Sequence, residues 1–251
     1  MAETKHQSFQ FKQFTVFQDR CAMKVGTDGV LLGAWASGGT LPETGAPRRI
    51  LDIGTGTGLI ALMMAQRFPD AWIDAIEIEH EAAEQASENV AASPFADRIQ
   101  VMEVSLQEYV GQVVAQADGF CRYDAIVSNP PYFVNSLKNP DVQRMTARHT
   151  DTLSFRQLMQ GVSRLLADEG VFSVILPTSG QVEFESEAVI SGFSKICEVQ
   201  VKTKENKTAK RCMISFSRQV PTVVLREEIC MMEADNQRSL WYRELTKDFY
   251  L

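Results

Sequence analysis

Long apolar runs are missing from this chain. The run through Ile60 to Ala65, with Leu59 before it, falls far short of the roughly 20 residues that a membrane-spanning helix needs. Met1 to Gln7 is polar and carries no secretory apolar core, so a cytoplasmic protein with no membrane partner is expected. Paired cysteines are missing too. Cys21, Cys121, Cys197, Cys212 and Cys230 are odd in number, widely scattered and without a C-x-x-C pair, which argues against a disulfide framework or zinc ribbon and for free thiols. No metal is expected. Nor does any repeat, low-complexity tract or Gly/Ser/Pro linker divide the 251 residues. At 45% hydrophobic and 23% charged the chain has the composition of a globular protein that buries a full core.

Excess positive charge is absent as well. A net charge of −7 argues against loose, non-specific nucleic-acid binding. Its distribution is uneven: residues 1 to 125 carry 9 basic and 17 acidic side chains, residues 126 to 251 carry 16 and 15. Within the second half, Lys202, Lys204, Lys207, Lys210 and Arg211 are opposed only by Glu205, a net +4 over ten residues. That segment reads as a hairpin loop, and either an anionic partner or plain solvation accounts for it.

From about residue 50 strands and helices alternate, which predicts one α/β domain. Strands are expected over Arg49–Ile53, Trp72–Ile76, Ile99–Val104, Tyr123–Ser128 and Val171–Leu176, and helices over Leu59–Phe68, His80–Ala92, Ser154–Ala167 and Val182–Ser191. Gly170 is placed as a helix C-cap. Lys195–Val201 and Arg211–Ser217 read as an antiparallel pair closing an otherwise parallel sheet. The result is a Rossmann-like, doubly wound sheet of seven strands with an antiparallel last strand. Ahead of it, Phe9, Phe11, Phe14, Val16 and Phe17 suggest a β-rich stretch and Asp28–Trp35 a short apolar helix. Ser239–Phe249 reads as a final helix.

Two motifs carry chemistry. Asp52-Ile53-Gly54-Thr55-Gly56-Thr57-Gly58 ends the first strand of the alternating unit and opens its first helix, where absent side chains let the backbone approach a ligand. The dinucleotide spacing G-x-G-x-x-G would need a small residue at position 59, where Leu59 stands. Asn129-Pro130-Pro131-Tyr132 follows strand four at the carboxyl edge, where doubly wound sheets bind ligands. An exocyclic aryl amine has a delocalised lone pair. Two fixed acceptors, the Asn129 amide oxygen and the Pro130 carbonyl, would draw its nitrogen toward tetrahedral geometry and free that pair for in-line attack. The prolines stiffen the loop, and Tyr132 offers a face on which an extruded base stacks.

The D-x-G-x-G-x-G turn resembles the first motif of S-adenosylmethionine-dependent methyltransferases, and Asn-Pro-Pro-Tyr resembles the signature of their N6-adenine branch. With Arg20 to Trp35 (RCAMKVGTDGVLLGAW) the chain closely resembles a bacterial family of tRNA (adenine-37-N6)-methyltransferases. The resemblance implies S-adenosylmethionine as cofactor and tRNA, not DNA, as partner, with adenine 37 beside the anticodon of tRNA1(Val) as target. It implies that Asp52 positions the cofactor's amino-acid end, that Gly54, Gly56 and Gly58 cradle it, and that Glu77 accepts its ribose hydroxyls. In place of the family's acidic residue after strand three, Ser105 falls at the adenine. Residues 1–35 are expected to cover the cofactor site through Lys24, Thr27 and Asp28, ahead of a methyltransferase domain over 36–251; Thr27 or Asp28 could equally cap the following helix. Asn129 would touch cofactor and substrate, and Pro131, Tyr132, Arg144, Arg148, Lys207, Lys210 and Arg211 the RNA. Arg144, Arg148 and His149 lie in a long aperiodic loop, read as a lid that orders on RNA or as solvated charge. Two alternatives stay open: a protein glutamine methyltransferase acting on release factors, disfavoured because only 51 residues precede Asp52, and a non-catalytic RNA-binding protein on the same fold.

Overall fold

A computed structural model describes residues 7–21, 23–37, 45–115, 122–131 and 153–251. Period-two alternation builds its sheet: along β3 (Arg49–Ile53), Ile50 turns to one core while Leu51 and Ile53 turn to the other. β4 (Trp72–Glu77) and β6 (Tyr123–Ser128) pair in parallel with β3 on either side, and β5 (Ile99–Glu103) and β7 (Leu166–Pro177) extend the parallel sheet beyond them. β8 (Ser194–Lys202) and β9 (Arg211–Ser217) form the expected hairpin, with β9 inserted antiparallel between β7 and β8. The order is β10-β8-β9-β7-β6-β3-β4-β5.

The eighth strand, β10 (Leu225–Cys230), corrects the expected count of seven; it adds in parallel to the outer edge of β8. Gly170 is also corrected. The helix preceding it ends at Leu165, and Gly170 lies inside β7, where an added Cβ would come within 2.9 Å of the Tyr123 carbonyl.

Helices cover both faces. α1 (Thr27–Trp35), α2 (Leu59–Arg67) and α3 (His80–Ala91) lie on one side; α4 (Leu106–Ala115), α5 (Phe155–Leu165) and α6 (Gln181–Ile190) lie on the other. α1 packs closely on α2 because Gly29 and Gly33 leave room for Leu59 and Met63. A two-stranded antiparallel ribbon, β1 (Ser8–Gln10) with β2 (Thr15–Phe17), leans on α3. The C-terminal α7 (Leu240–Thr246) packs on α1, and Phe249 accepts the Lys12 N–H at 2.8 Å. Among the described residues no helix is long and apolar enough to cross a membrane.

Candidate active site

The strand order reverses at β3: β4 and β5 lie to one side and β6 to the other. Such a switch point opens a crevice at the carboxyl ends of the strands, where doubly wound sheets bind ligands. Both motifs meet there. Ile53 pairs with Ser128 in register and Ser128 Oγ donates to the Ile53 carbonyl at 2.9 Å. Gly54 and Asn129 therefore leave neighbouring strands, which run about 4.8 Å apart, at the same level. Asn129 is half-buried, Pro130 buried and Pro131 exposed. Tyr132, Arg144 and Arg148 lie outside the described residues.

The turn after β3 is held from three sides. Gly54 and Thr55 donate to the Ile76 carbonyl at 2.9 and 3.0 Å, and Gly58 donates to the Thr55 carbonyl at 2.9 Å. Gly54, Gly56 and Gly58 have φ of 72°, 56° and 80°, the left-handed region that favours glycine. No atom lies within 4 Å of where a Cβ would stand on Gly54 or Gly56, whereas Gly58 abuts Ala86 of α3. The first two glycines thus face open space, and the third serves helix packing as well.

Two carboxylates anchor this cradle. Glu77, the last residue of β4, accepts the Gly56 N–H at 2.8 Å through Oε2 and those of Ile78 and Glu79 at 2.9 and 3.1 Å through Oε1. Asp52 is fully buried. Its Oδ2 accepts the Thr55 hydroxyl at 2.6 Å and the Ala61 N–H at 3.1 Å, which supplies the side-chain acceptor that Gly58 cannot give α2. Asp52 Oδ1 is buried with no partner among the described residues, and burial pushes the carboxyl up to about 7. A buried carboxylate oxygen left unsatisfied beside an open cradle suits a cationic, hydrogen-bonding ligand. The residues present therefore fit the amino-acid and ribose ends of an S-adenosylmethionine-like group. Among the described residues no cluster of three or more His, Cys, Asp or Glu could hold a metal ion.

Other expected contacts are engaged within the fold. The Ser105 hydroxyl donates to Glu108 at 2.8 Å and accepts the Glu108 N–H at 3.2 Å, while Glu108 reaches back to the Ser105 N–H at 3.2 Å. This reciprocal cap opens α4, and the S-x-x-E spacing was its signal in the sequence. Lys24 is exposed and bonds Gln7; Thr27 is exposed as the first residue of α1. α1 starts from Gly26 without a side-chain cap, so neither Thr27 nor Asp28 caps it. Asp28 instead forms an ion pair with Arg211 at the start of β9, and burial raises its carboxyl above the usual range.

Because β9 runs antiparallel, the β8–β9 turn with its basic residues lies at the same carboxyl edge as the motifs. Its charge is partly engaged within the fold. Lys202 pairs with Glu228, Lys204 bonds Asn236 and Arg211 holds Asp28. Lys207 and Lys210 are exposed, with no ion pair among the described residues. The Thr178 N–H and hydroxyl, just past β7, bond the Lys210 and Ala209 carbonyls at 3.1 and 3.2 Å and fix the turn in place.

Comparison with known proteins accords with this geometry. The methyltransferase small domain family matches residues 39–156. In solved structures, the fold recurs in a predicted O-methyltransferase from Agrobacterium tumefaciens, at a TM-score of 0.64 and 20% identity over 88% of this chain and 96% of that one. Proteins named tRNA1(Val) (adenine(37)-N6)-methyltransferase are far more similar in sequence. The one from Bacteroides thetaiotaomicron is 48% identical over 97% of both chains, and that from Aeromonas hydrophila 45% identical over 98% of both. The Yersinia pestis protein is 41% identical over 97% of this chain and 93% of its own. With this likeness running over nearly its whole length, the chain belongs to the tRNA1(Val) (adenine(37)-N6)-methyltransferase family.

Proposed function

We propose that this enzyme methylates the exocyclic N6 of an adenine in tRNA, adenine 37 of tRNA1(Val), with S-adenosylmethionine as donor, in the cytoplasm. The observation that carries the reading is the level pairing of Ile53 with Ser128, which sets Asn129 beside the open glycine cradle. Asp52, Gly54, Gly56, Gly58 and Glu77 hold the cofactor, and residues 1–35 close over it.

S-adenosylmethionine supplies an electrophilic methyl on a sulfonium. Asn129 Oδ1 and the Pro130 carbonyl accept the two amino protons of the extruded adenine, localising the nitrogen lone pair toward that methyl. Tyr132 stacks on the base. Transfer would exchange the S–C bond for the new N–C bond, and the nitrogen would give its surplus proton to solvent, so no strong base is required of the chain. Lys207 and Lys210 contact the RNA backbone, a role proposed also for Arg144 and Arg148 on the sequence alone; Arg211 supports the site through Asp28.

Incubation with labelled S-adenosylmethionine and total tRNA lacking N6-methyladenosine, followed by nucleoside mapping, tests this. Label at adenine 37 of tRNA1(Val) is expected. Label in release factor and none in tRNA would overturn the reading.

A further inference from the structure

Asn89 has no part in either motif, yet its side chain joins two segments remote in the chain. It sits near the end of α3 and is fully buried. Nδ2 donates to the Phe17 carbonyl at 2.8 Å and to the Thr57 carbonyl at 2.9 Å, while Oδ1 accepts the Phe17 N–H at 2.8 Å. Gln18 N–H bonds Gln7 on the β1 side, so Phe17, one residue away, turns its N–H and carbonyl from β1. Asn89 thereby pairs with the open edge of β2 as a neighbouring strand would. Its remaining proton goes to the glycine turn.

The chain after β2 follows the same helix. Gln85 Oε1 accepts the Arg20 N–H at 3.4 Å, and the Arg20 guanidinium pairs with Glu84 and Glu88. Cys21 beyond it is buried, and after burial itself the next influence raising its thiol, to about 11, is the charge of Glu77. The strap from β2 to Cys21 thus follows α3 onward from the Asn89 bridge.

We infer that Asn89 is a positioning residue that couples docking of the N-terminal ribbon to the shape of the glycine turn, so that ribbon docking and cofactor binding are linked. The inference rests on the reading that this turn holds S-adenosylmethionine. Linkage is reciprocal: whatever loosens the ribbon weakens cofactor binding by the factor with which the cofactor tightens the ribbon.

Asn89→Leu removes all three bonds at similar volume, and Asn89→Asp keeps an acceptor while setting a carboxylate against two carbonyls. In the full-length enzyme, the dissociation constant and KM for S-adenosylmethionine should rise about tenfold, within the usual range of coupling between sites. At saturating cofactor kcat should stay within about threefold of wild type, because the deleted interaction concerns cofactor binding. S-adenosylhomocysteine should slow amide exchange of β2 in wild type and not in Asn89→Leu. A purely architectural role would lower the melting temperature and leave cofactor affinity and this protection unchanged, which would overturn the inference. Arg20→Ala, on the surface, keeps the test open if the Asn89 variants do not fold. It should weaken cofactor binding by about three- to fivefold and reduce the protection of β2; wild-type values for both would equally refute the linkage. If wild-type enzyme bound no S-adenosylmethionine, the cofactor reading itself would fall.

Discussion

The two ends of the central sheet are built on opposite principles. At the amino end, polar groups close on one another. Arg49 pairs with Asp74 at 3.0 Å and lies over the Tyr123 ring; Tyr123 donates to Asp74 and bonds Tyr109. Burial, reinforced by Asp74, drives the Tyr123 hydroxyl far above its ordinary range, so it stays a donor. Arg98 donates to the carbonyls of Ala65, Phe68 and Ala71 at the end of α2, and Arg67 to those of Gly33 and Ala36 at the end of α1. At the carboxyl end, Asp52 keeps an unsatisfied oxygen, two glycines face open space and two lysines are exposed without ion pairs among the described residues. At one end arginine, aspartate and tyrosine side chains bond one another and the helix ends, and contribute stability. The other keeps polar groups open, which is what the proposed ligand site requires.

Substitutions at each end should therefore separate into two kinds. The largest loss is expected at the open end: Gly56→Val forces a β-branched residue to positive φ, and Glu77→Ala removes the acceptor of three backbone N–H groups and of the ribose in the proposed site. Charge-assisted bonds are each worth roughly 1.5–3 kcal/mol, so titration calorimetry should show S-adenosylmethionine binding weakened by about a hundredfold or more. Wild-type affinity in both variants would break the contrast at its open end.

At the closed end, Asp74→Ala removes the ion-pair partner of Arg49 and the acceptor of the Tyr123 hydroxyl, which keeps its bond to Tyr109. Breaking a buried ion pair costs about 3–5 kcal/mol; partial exposure of Arg49 places this one near the lower figure. Urea denaturation should record the loss, while kcat of the folded enzyme stays within about twofold of wild type. A matching fall in kcat would show that the two ends are not separable.

A smaller effect is expected from Lys207→Ala combined with Lys210→Ala. For every phosphate left without its lysine, the slope of log affinity for tRNA against log salt should fall by about 0.7 to 0.9, with cofactor binding intact. Arg211 is left in place because its removal would free Asp28 and disturb α1. An unchanged slope would remove the turn from the RNA surface.

The smallest effect is a fraction of a proton. Asp52, held near pH 7, keeps in the folded state a proton that the unfolded chain gives up near its ordinary value of 3.8. Without cofactor, this group's contribution makes stability fall as pH rises between those values. An ammonium beside Oδ1 would favour the charged carboxylate. Calorimetry at pH 6.5 in buffers of different ionisation enthalpy should then show release of about half a proton or more on cofactor binding, and none in Asp52→Asn.

What the sequence revealed was local. Asp52 to Gly58 and Asn129 to Pro131 read correctly as turns at strand ends, because glycine at positive φ and proline after a strand act within a few residues. β10 was illegible: of its first four residues Arg226, Glu227 and Glu228 are charged and all four are exposed, so alternation disappears on an edge strand. α4 carried a readable cap, but Ser105 and Glu108 competed with a ligand-contact reading of the same serine. The fate of the basic cluster was beyond any local pattern, since Glu228, Asn236 and Asp28 reach Lys202, Lys204 and Arg211 only through the fold. The same holds for Asn89, an ordinary helical residue until Phe17 and Thr57 are brought to it.

The proposed chemistry at the open end rests on Asn129. Steady-state methylation of tRNA by Asn129→Ala, at saturating S-adenosylmethionine, is its sharpest test. Loss of one preorganised polar group predicts a fall in kcat of about a hundredfold or more, with the melting temperature near wild type. Turnover close to wild type would show that the loop after β6 only shapes the fold, and would contradict the account.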